Sequence, residues 1–270
     1  MKTRIITAVV ALPLLVVLLL IAPKIFTAVV AGLVAAIAAY ELLQGTGLVK
    51  NLRLCLYGMA TAFWCVLWCG LHISYGWLLL GIMAFWVALF AEMMISQMKL
   101  PFESVAVCFC GGVLLPLMLG SLVRMHSGDL GRFLVLMPLI IAFMSDSGAY
   151  FVGIYLGKHK LAPTISPKKT IEGAIGGVLG AVSGMLIYCM IMGVFFKLNV
   201  NYGFAAIYGI LGSAAGVFGD LCFSMIKRQT GIKDYGKIIP GHGGILDRLD
   251  SILIVAPLTE ILLLLLPVVV

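Results

Sequence analysis

The sequence predicts an all-α integral membrane protein that crosses the bilayer about nine times with its N-terminus in the cytoplasm. Three observations carry that expectation. First, the 270 residues are 63% hydrophobic and 11% charged, with mean hydropathy +1.17, whereas a typical globular chain is about 25% charged. Too few polar residues are present to cover a soluble fold of this size, and disorder requires the opposite composition. Second, the apolar runs are continuous, as in Leu14–Ile21 and Ile261–Leu266. They do not alternate in polarity over segments of about ten residues, as barrel strands do. Third, if nine spans alternate sides, 14 of the 18 basic residues fall on the N-terminal side, and Lys24, Arg124, Arg132 and Lys197 on the other. The positive-inside rule then fixes the orientation.

A span with a short loop takes about 30 residues, and the runs divide accordingly. The expected windows are Ile5–Ile21, Ile25–Leu42, Leu54–Leu71, Tyr75–Met93 and Ser104–Leu122, followed by Phe133–Leu156, Ile171–Phe196, Tyr202–Phe223 and Leu249–Val269. Lys2 and Arg4 before the first run resemble a secretory signal. The run is long, however, and Lys24 closes it just before another span, so it reads as a retained helix. The windows group as residues 1–132, with about five spans, and residues 133–270, a half with cytoplasmic loops at 157–170 and 224–248. Seven cysteines without metal-ligand spacing read as apolar packing residues. The net charge of +7 reflects topology and attraction to anionic head groups. Nucleic acid is not an expected partner, because spans interrupt the basic residues and no aromatic platform accompanies them. No internal repeat suggests the inverted halves of a transporter.

The acids are unevenly placed. Glu41, Glu92, Glu103 and Asp129 read as solvated residues at span ends or in loops, whereas Asp146, Asp220 and Glu260 lie inside apolar runs. A carboxylate near the bilayer centre costs about 2.5–3.5 kcal/mol, so Asp146 and Asp220 require a compensating cation, a metal, or an ion pair joining helices. In the loop after the sixth run, Ser166 and Pro167 fit the N-cap and first position of the seventh helix. That placement puts Lys168 and Lys169 in its first turn. Cations there oppose the helix dipole, an arrangement that suits a bound phosphate but also agrees with plain cytoplasmic charge.

The segment from Ser224 to Asp250 is the most informative. Lys227, Arg228, Lys233 and Lys237 lead into Gly241-His242-Gly243-Gly244, and the last helix opens directly afterwards with Asp247 and Asp250 at i, i+3 and Arg248 beside them. Glycines let backbone N–H groups approach an anion closely. Carboxylates suit Mg²⁺, which is typically held by one or two of them plus substrate phosphates, while lysine and arginine clamp phosphate oxygens. Each aspartate taken singly also reads as a helix cap.

The pattern Ser224, Lys227-Arg228, Lys233-Asp234, Gly236, Pro240, His242-Gly243-Gly244, Asp247-Arg248 and Asp250 resembles the phosphatidate cytidylyltransferase (CDP-diglyceride synthase) family. The resemblance extends less sharply to Asp146–Tyr150, Ser166–Gly173 and Gly219-Asp220. It implies a membrane enzyme of phospholipid biosynthesis that converts CTP and phosphatidate into CDP-diacylglycerol and pyrophosphate with a divalent metal, and it implies a homodimer. Under this reading Asp220, Asp247 and Asp250 hold two divalent ions, Mg²⁺ among them, with Asp146 either an additional ligand or a residue that supports the ligands from behind. Lys227, Arg228, Lys233, Arg248, Lys168 and Lys169 neutralise phosphate oxygens. Ser224, Asp234, Gly243 and Gly244 line the substrate, and His242 either orients a phosphate or acts as a general acid. Carboxylates from separate helices would meet near the inner leaflet boundary. Short loops lean towards a bacterial inner membrane with the site facing the cytoplasm. Alternatives are a relative acting on another lipid, such as an isoprenoid-ether analogue or a polyprenol, and an ion-coupled transporter.

Overall fold

A computed structural model describes residues 17, 19–71, 73–97, 99–238 and 243–269. The described chain is nearly all helical. In order it contains α1 (Lys24–Tyr40), which runs without a break into a π turn at Glu41–Gly45, α2 (Leu52–Leu71), α3 (Tyr75–Ile95), and α4 (Phe102–Phe109), joined through a second π turn at Cys110–Leu114 to α5 (Leu115–Ser127). Then come α6 (Gly131–Leu134), α7 (Leu136–Leu156), strands β1 (Lys160–Ala162) and β2 (Ser166–Thr170), α8 (Ile171–Phe196), α9 (Tyr202–Gln229), α10 (Leu246–Leu249) and α11 (Ile252–Leu265).

Among the described residues, seven helices are long and apolar enough to cross a membrane: Lys24–Gly45, Leu52–Leu71, Tyr75–Ile95, Phe102–Ser127, Gly131–Leu156, Ile171–Phe196 and Tyr202–Gln229. These match the second to eighth expected windows. Most of the first window, Ile5–Ile21, lies outside the described residues. In the ninth, the four residues of α10 and the 14 of α11 are separated by a turn at Asp250–Ser251, so Asp247 and Asp250 do not open one continuous helix as the sequence suggests. Apolar side chains such as Trp77, Leu80, Met83 and Val87 on α3 remain more than half exposed. A water-soluble fold would hide such a face, whereas a lipid-facing helix presents it.

The chain divides into two compact units, Met1–Arg132 with Lys227–Leu249, and Phe133–Ile226 with Asp250–Val270. In the first, Leu43, Leu54, Leu89, Val105 and Cys108 form the buried core. Small residues bring α1 and α2 close: a Cβ built at Gly70 would stand 2.5 Å from that of Ala28. In the second unit Met137, Ile141, Met185, Tyr208 and Leu262 form the core. Here α7 and α8 pack almost backbone to backbone. A Cβ at Gly180 would lie 2.5 Å from the Met144 carbonyl oxygen, the close approach that small residues permit between membrane helices. One polar bridge, Ser145 Oγ to Ser213 Oγ at 2.7 Å, is buried between α7 and α9.

Lys168 and Lys169 are not in a helical first turn. Ser166–Thr170 is a strand paired antiparallel with Lys160–Ala162, with Lys160 opposite Thr170 and Ala162 opposite Ser166. The cap is Thr170, whose Oγ1 accepts the Gly173 N–H at 3.1 Å, and the acid in the first turn is Glu172. This arrangement removes the conflict between two lysines and the helix dipole. Glu172 also clamps the hairpin base, accepting the Lys158 and His159 backbone N–H groups at 3.1 and 3.2 Å and meeting His159 Nδ1 at 2.5 Å.

Candidate active site

In the second unit, two candidate residues, Asp220 and Ser224, share one face of α9. Lys169, reaching from β2, forms an ion pair with Asp220 Oδ2. The Ser224 hydroxyl, one helical turn along, donates to Asp220 Oδ1 at 3.1 Å. Both partners of the pair keep about a quarter of their side-chain surface exposed, at 25% and 27%. The carboxylate is therefore held by two donors yet open to solvent. Gly219 makes room for the chain after α10, because a Cβ there would stand 2.6 Å from the Asp250 carbonyl oxygen. Asp220 and the Asp250 backbone are thus neighbours. Asp146 is exposed on α7 and Lys168 is exposed on β2.

In the first unit, Asp247 is the hub. It is buried, and its Oδ1 receives Lys227 Nζ at 2.7 Å. Its Oδ2 accepts the backbone N–H groups of Tyr235 at 2.8 Å and Gly244 at 3.0 Å. Two distant parts of the loop are thereby tied to one carboxylate, and charge-assisted hydrogen bonds of this kind are about twice as strong as neutral ones. The Lys227 ammonium also lies 5.4 Å from the centroid of the Tyr235 ring, within cation–π range. Gly243 has φ +85°, a left-handed conformation that a side chain would strain. A Cβ there would lie 3.1 Å from Asp247 Oδ2 and 3.4 Å from Asp234 Oδ1, so Asp234 flanks the same turn. Arg228, Lys233 and Arg248 are exposed. His242 and Gly241 lie outside the described residues.

Sequence reasoning missed two acids. Glu41 is 2% exposed, not solvated, and its Oε2 accepts the Leu246 N–H at 2.8 Å, across 205 positions of chain. Glu92 is also largely withdrawn, with 12% side-chain exposure, and accepts from the Tyr57 hydroxyl at 3.3 Å and pairs with Arg53 at 3.6 Å. Among the described residues, no three His, Cys, Asp or Glu side chains are grouped so as to hold a metal ion by themselves. The aspartates still fit Mg²⁺ by the chemistry of their donors: hard carboxylate oxygens, one or two per ion, with substrate phosphates and water completing the shell.

Residues 2–266 match the model of the cytidylyltransferase family. The chain belongs to that family. Among curated relatives it is 44% identical over 133 residues to a protein named phosphatidate cytidylyltransferase from Staphylococcus saprophyticus, and that stretch is 49% of this chain and 50% of the relative. Proteins of the same name from Staphylococcus haemolyticus and Staphylococcus aureus (strain COL) are each 46% identical over 133 residues, with the same coverage. The match thus spans about half the length of the curated relatives.

Proposed function

We propose that this cytidylyltransferase transfers the cytidylyl group of CTP to phosphatidate, releasing pyrophosphate and forming CDP-diacylglycerol for phospholipid synthesis. The observation that carries the reading is the family match over nearly the whole chain, together with relatives named for that activity. A phosphatidate oxygen attacks the α-phosphorus of CTP in line as the bond to the bridging oxygen of pyrophosphate breaks. The lipid supplies the nucleophile, so no side chain needs to form a covalent intermediate. Two polyanions repel at contact, so catalysis is chiefly positioning and charge neutralisation.

The residues divide that work. Lys227, Arg228, Lys233 and Arg248 neutralise phosphate oxygens from the loop, and Lys168 and Lys169 do so from the hairpin. Gly243 and Gly244 bring backbone close to a phosphate, and Ser224 orients Asp220. Asp220, Asp247 and Asp250 would hold the divalent ions, with Asp146 as a further oxygen donor. Mg²⁺ held there would polarise phosphate oxygens and stabilise developing negative charge. Lys169 and Lys227 hold Asp220 and Asp247 in place. Their ammonium groups, beside those carboxylates, would neutralise phosphate oxygens. His242 orients a phosphate or protonates the leaving group.

The same reading includes nine spans, an N-terminus and active site on the cytoplasmic side, a bacterial inner membrane and a homodimer. The test is a substrate panel on the purified protein: CTP, UTP, ATP and GTP, each against phosphatidate, diacylglycerol and a polyprenyl phosphate. Product from CTP with phosphatidate alone is expected. Preference for another acceptor would move the assignment to the other-lipid reading.

A further inference from the structure

The acid that closes α1 has no place in the reaction just described. Glu41 is 2% exposed, and no basic side chain pairs with it among the described residues. Its Oε2 accepts the Leu246 N–H, whereas its Oε1 has no hydrogen-bond partner among the described residues. A carboxylate so placed is expensive to bury and is retained only where something depends on it.

What depends on it is the loop. A Cβ built at Gly244 would stand 2.5 Å from Glu41 Oε2 and 2.6 Å from its Cδ and Oε1. A Cβ at Gly236 would strike the same carboxylate, 2.7 Å from its Cδ. On the helix side, a Cβ at Gly45 would run into the Tyr235 carbonyl oxygen. The chain around Tyr235–Gly236 and Gly244–Leu246 therefore lies directly on the end of α1. Asp247 ties the same two segments together through the Tyr235 and Gly244 N–H groups. The π turn at Glu41–Gly45 places the carboxylate at this point, and such insertions concentrate at functional sites.

We propose that Glu41 is a positioning residue: it fixes the Tyr235–Gly236 and Gly244–Leu246 segments against the end of α1, and through them the direction of Asp247, and it is the reason that positions 236 and 244 carry no side chain. The inference rests on the cytidylyl-transfer reading for its kinetic consequence alone.

Glu41→Ala, Glu41→Gln, Gly244→Ala and the Glu41→Ala/Gly244→Ala pair are compared by transfer kinetics with CTP and by hydrogen exchange of the peptide spanning 235–247. Loss of positioning lowers kcat by about 30-fold in Glu41→Ala with KM for CTP within about threefold. Loop exchange accelerates while the α2 and α8 peptides stay protected. Glu41→Gln keeps the size and the acceptor and recovers most of the turnover. Gly244→Ala is crippled while the carboxylate stands in its way, and the paired variant is no worse than Gly244→Ala because the obstruction is gone. Contacting residues show such non-additivity, whereas independent ones multiply their losses. Unchanged exchange at 235–247 in Glu41→Ala, or multiplicative losses in the pair, would overturn the proposal. If Glu41→Ala does not fold, Glu41→Met, which fills the space without accepting a hydrogen bond, takes its place in the kinetic and exchange comparison alone, and unchanged exchange at 235–247 in it would equally overturn the proposal. A wild-type protein inactive with CTP would refute the proposed reaction, while the exchange measurement would still decide the role of Glu41.

Discussion

Lys227 and Asp247, 20 positions apart, face each other at 2.7 Å with 12% and 3% of their side-chain surfaces exposed. The contact closes the loop between α9 and α10 and gives a buried carboxylate its counter-charge. Removing one member leaves the other charge stranded, and breaking a buried pair in this way costs about 3–5 kcal/mol. Lys227→Met should therefore lower the thermal unfolding midpoint in detergent clearly, as well as reduce activity. An unchanged midpoint would show that the pair does not stabilise the loop.

Lys169 and Asp220 form the more open pair, where solvent screening limits the stabilisation to about 1 kcal/mol or less. Lys169→Ala should leave unfolding within a few degrees of wild type while kcat/KM for CTP falls at least about tenfold, a loss of about 1.4 kcal/mol of transition-state binding. Lys169→Arg should recover part of it. Wild-type kinetics in Lys169→Ala would remove that residue from the substrate site.

Gly219 is required by contact rather than by conformation. Alanine there would place its Cβ 2.6 Å from the Asp250 carbonyl oxygen and 3.0 Å from Ile254 Cγ1. The predicted cost of Gly219→Ala is about 1–3 kcal/mol by overpacking, with activity reduced because Asp220 and Asp250 shift against each other. Thermal unfolding together with transfer kinetics checks both halves of that prediction.

The bridge between Ser145 and Ser213 supplies a contrast, since neither serine has a role in the proposed reaction. Ser145→Ala should destabilise by about 0.6–1.5 kcal/mol, since polar pairs inside membrane proteins are worth about that much. Replacing both serines by alanine should cost less than the sum of the singles. A double-mutant cycle on unfolding midpoints reads the coupling.

Much of the membrane architecture was legible in the sequence because lipid imposes one rule: long apolar helices with all backbone groups satisfied internally. Asp146 and Asp220 stand out as candidates because charge is scarce in apolar runs, and Asp247 and Asp250 because they follow a basic, glycine-rich segment. Two features escaped. The hairpin at Lys160–Thr170 was hidden because Ser166-Pro167 imitates a helix start, while Thr170, four positions on, makes the cap observed. Glu41 was read as solvated because its partner, the Leu246 amide, lies 205 positions away. No local pattern marks a carboxylate whose environment is assembled by a distant loop. The combination of a lone acid closing an apolar helix with Gly45 just after it and glycines at 236 and 244 is consistent with the contact, but it acquires meaning only once the loop is seen resting there.

The central claim is that Asp220 and Asp247 support metal-dependent cytidylyl transfer to a lipid phosphate. The most direct measurement follows label from α-phosphate-labelled CTP into the lipid fraction with phosphatidate, with and without Mg²⁺, for the wild-type protein and for Asp220→Asn and Asp247→Asn. The account predicts Mg²⁺-dependent labelling by the wild type and a loss of at least about a thousandfold in each folded variant, comparable to removing a principal transition-state contact. Labelling that persists in both variants, or that proceeds equally well without a divalent ion, would contradict it.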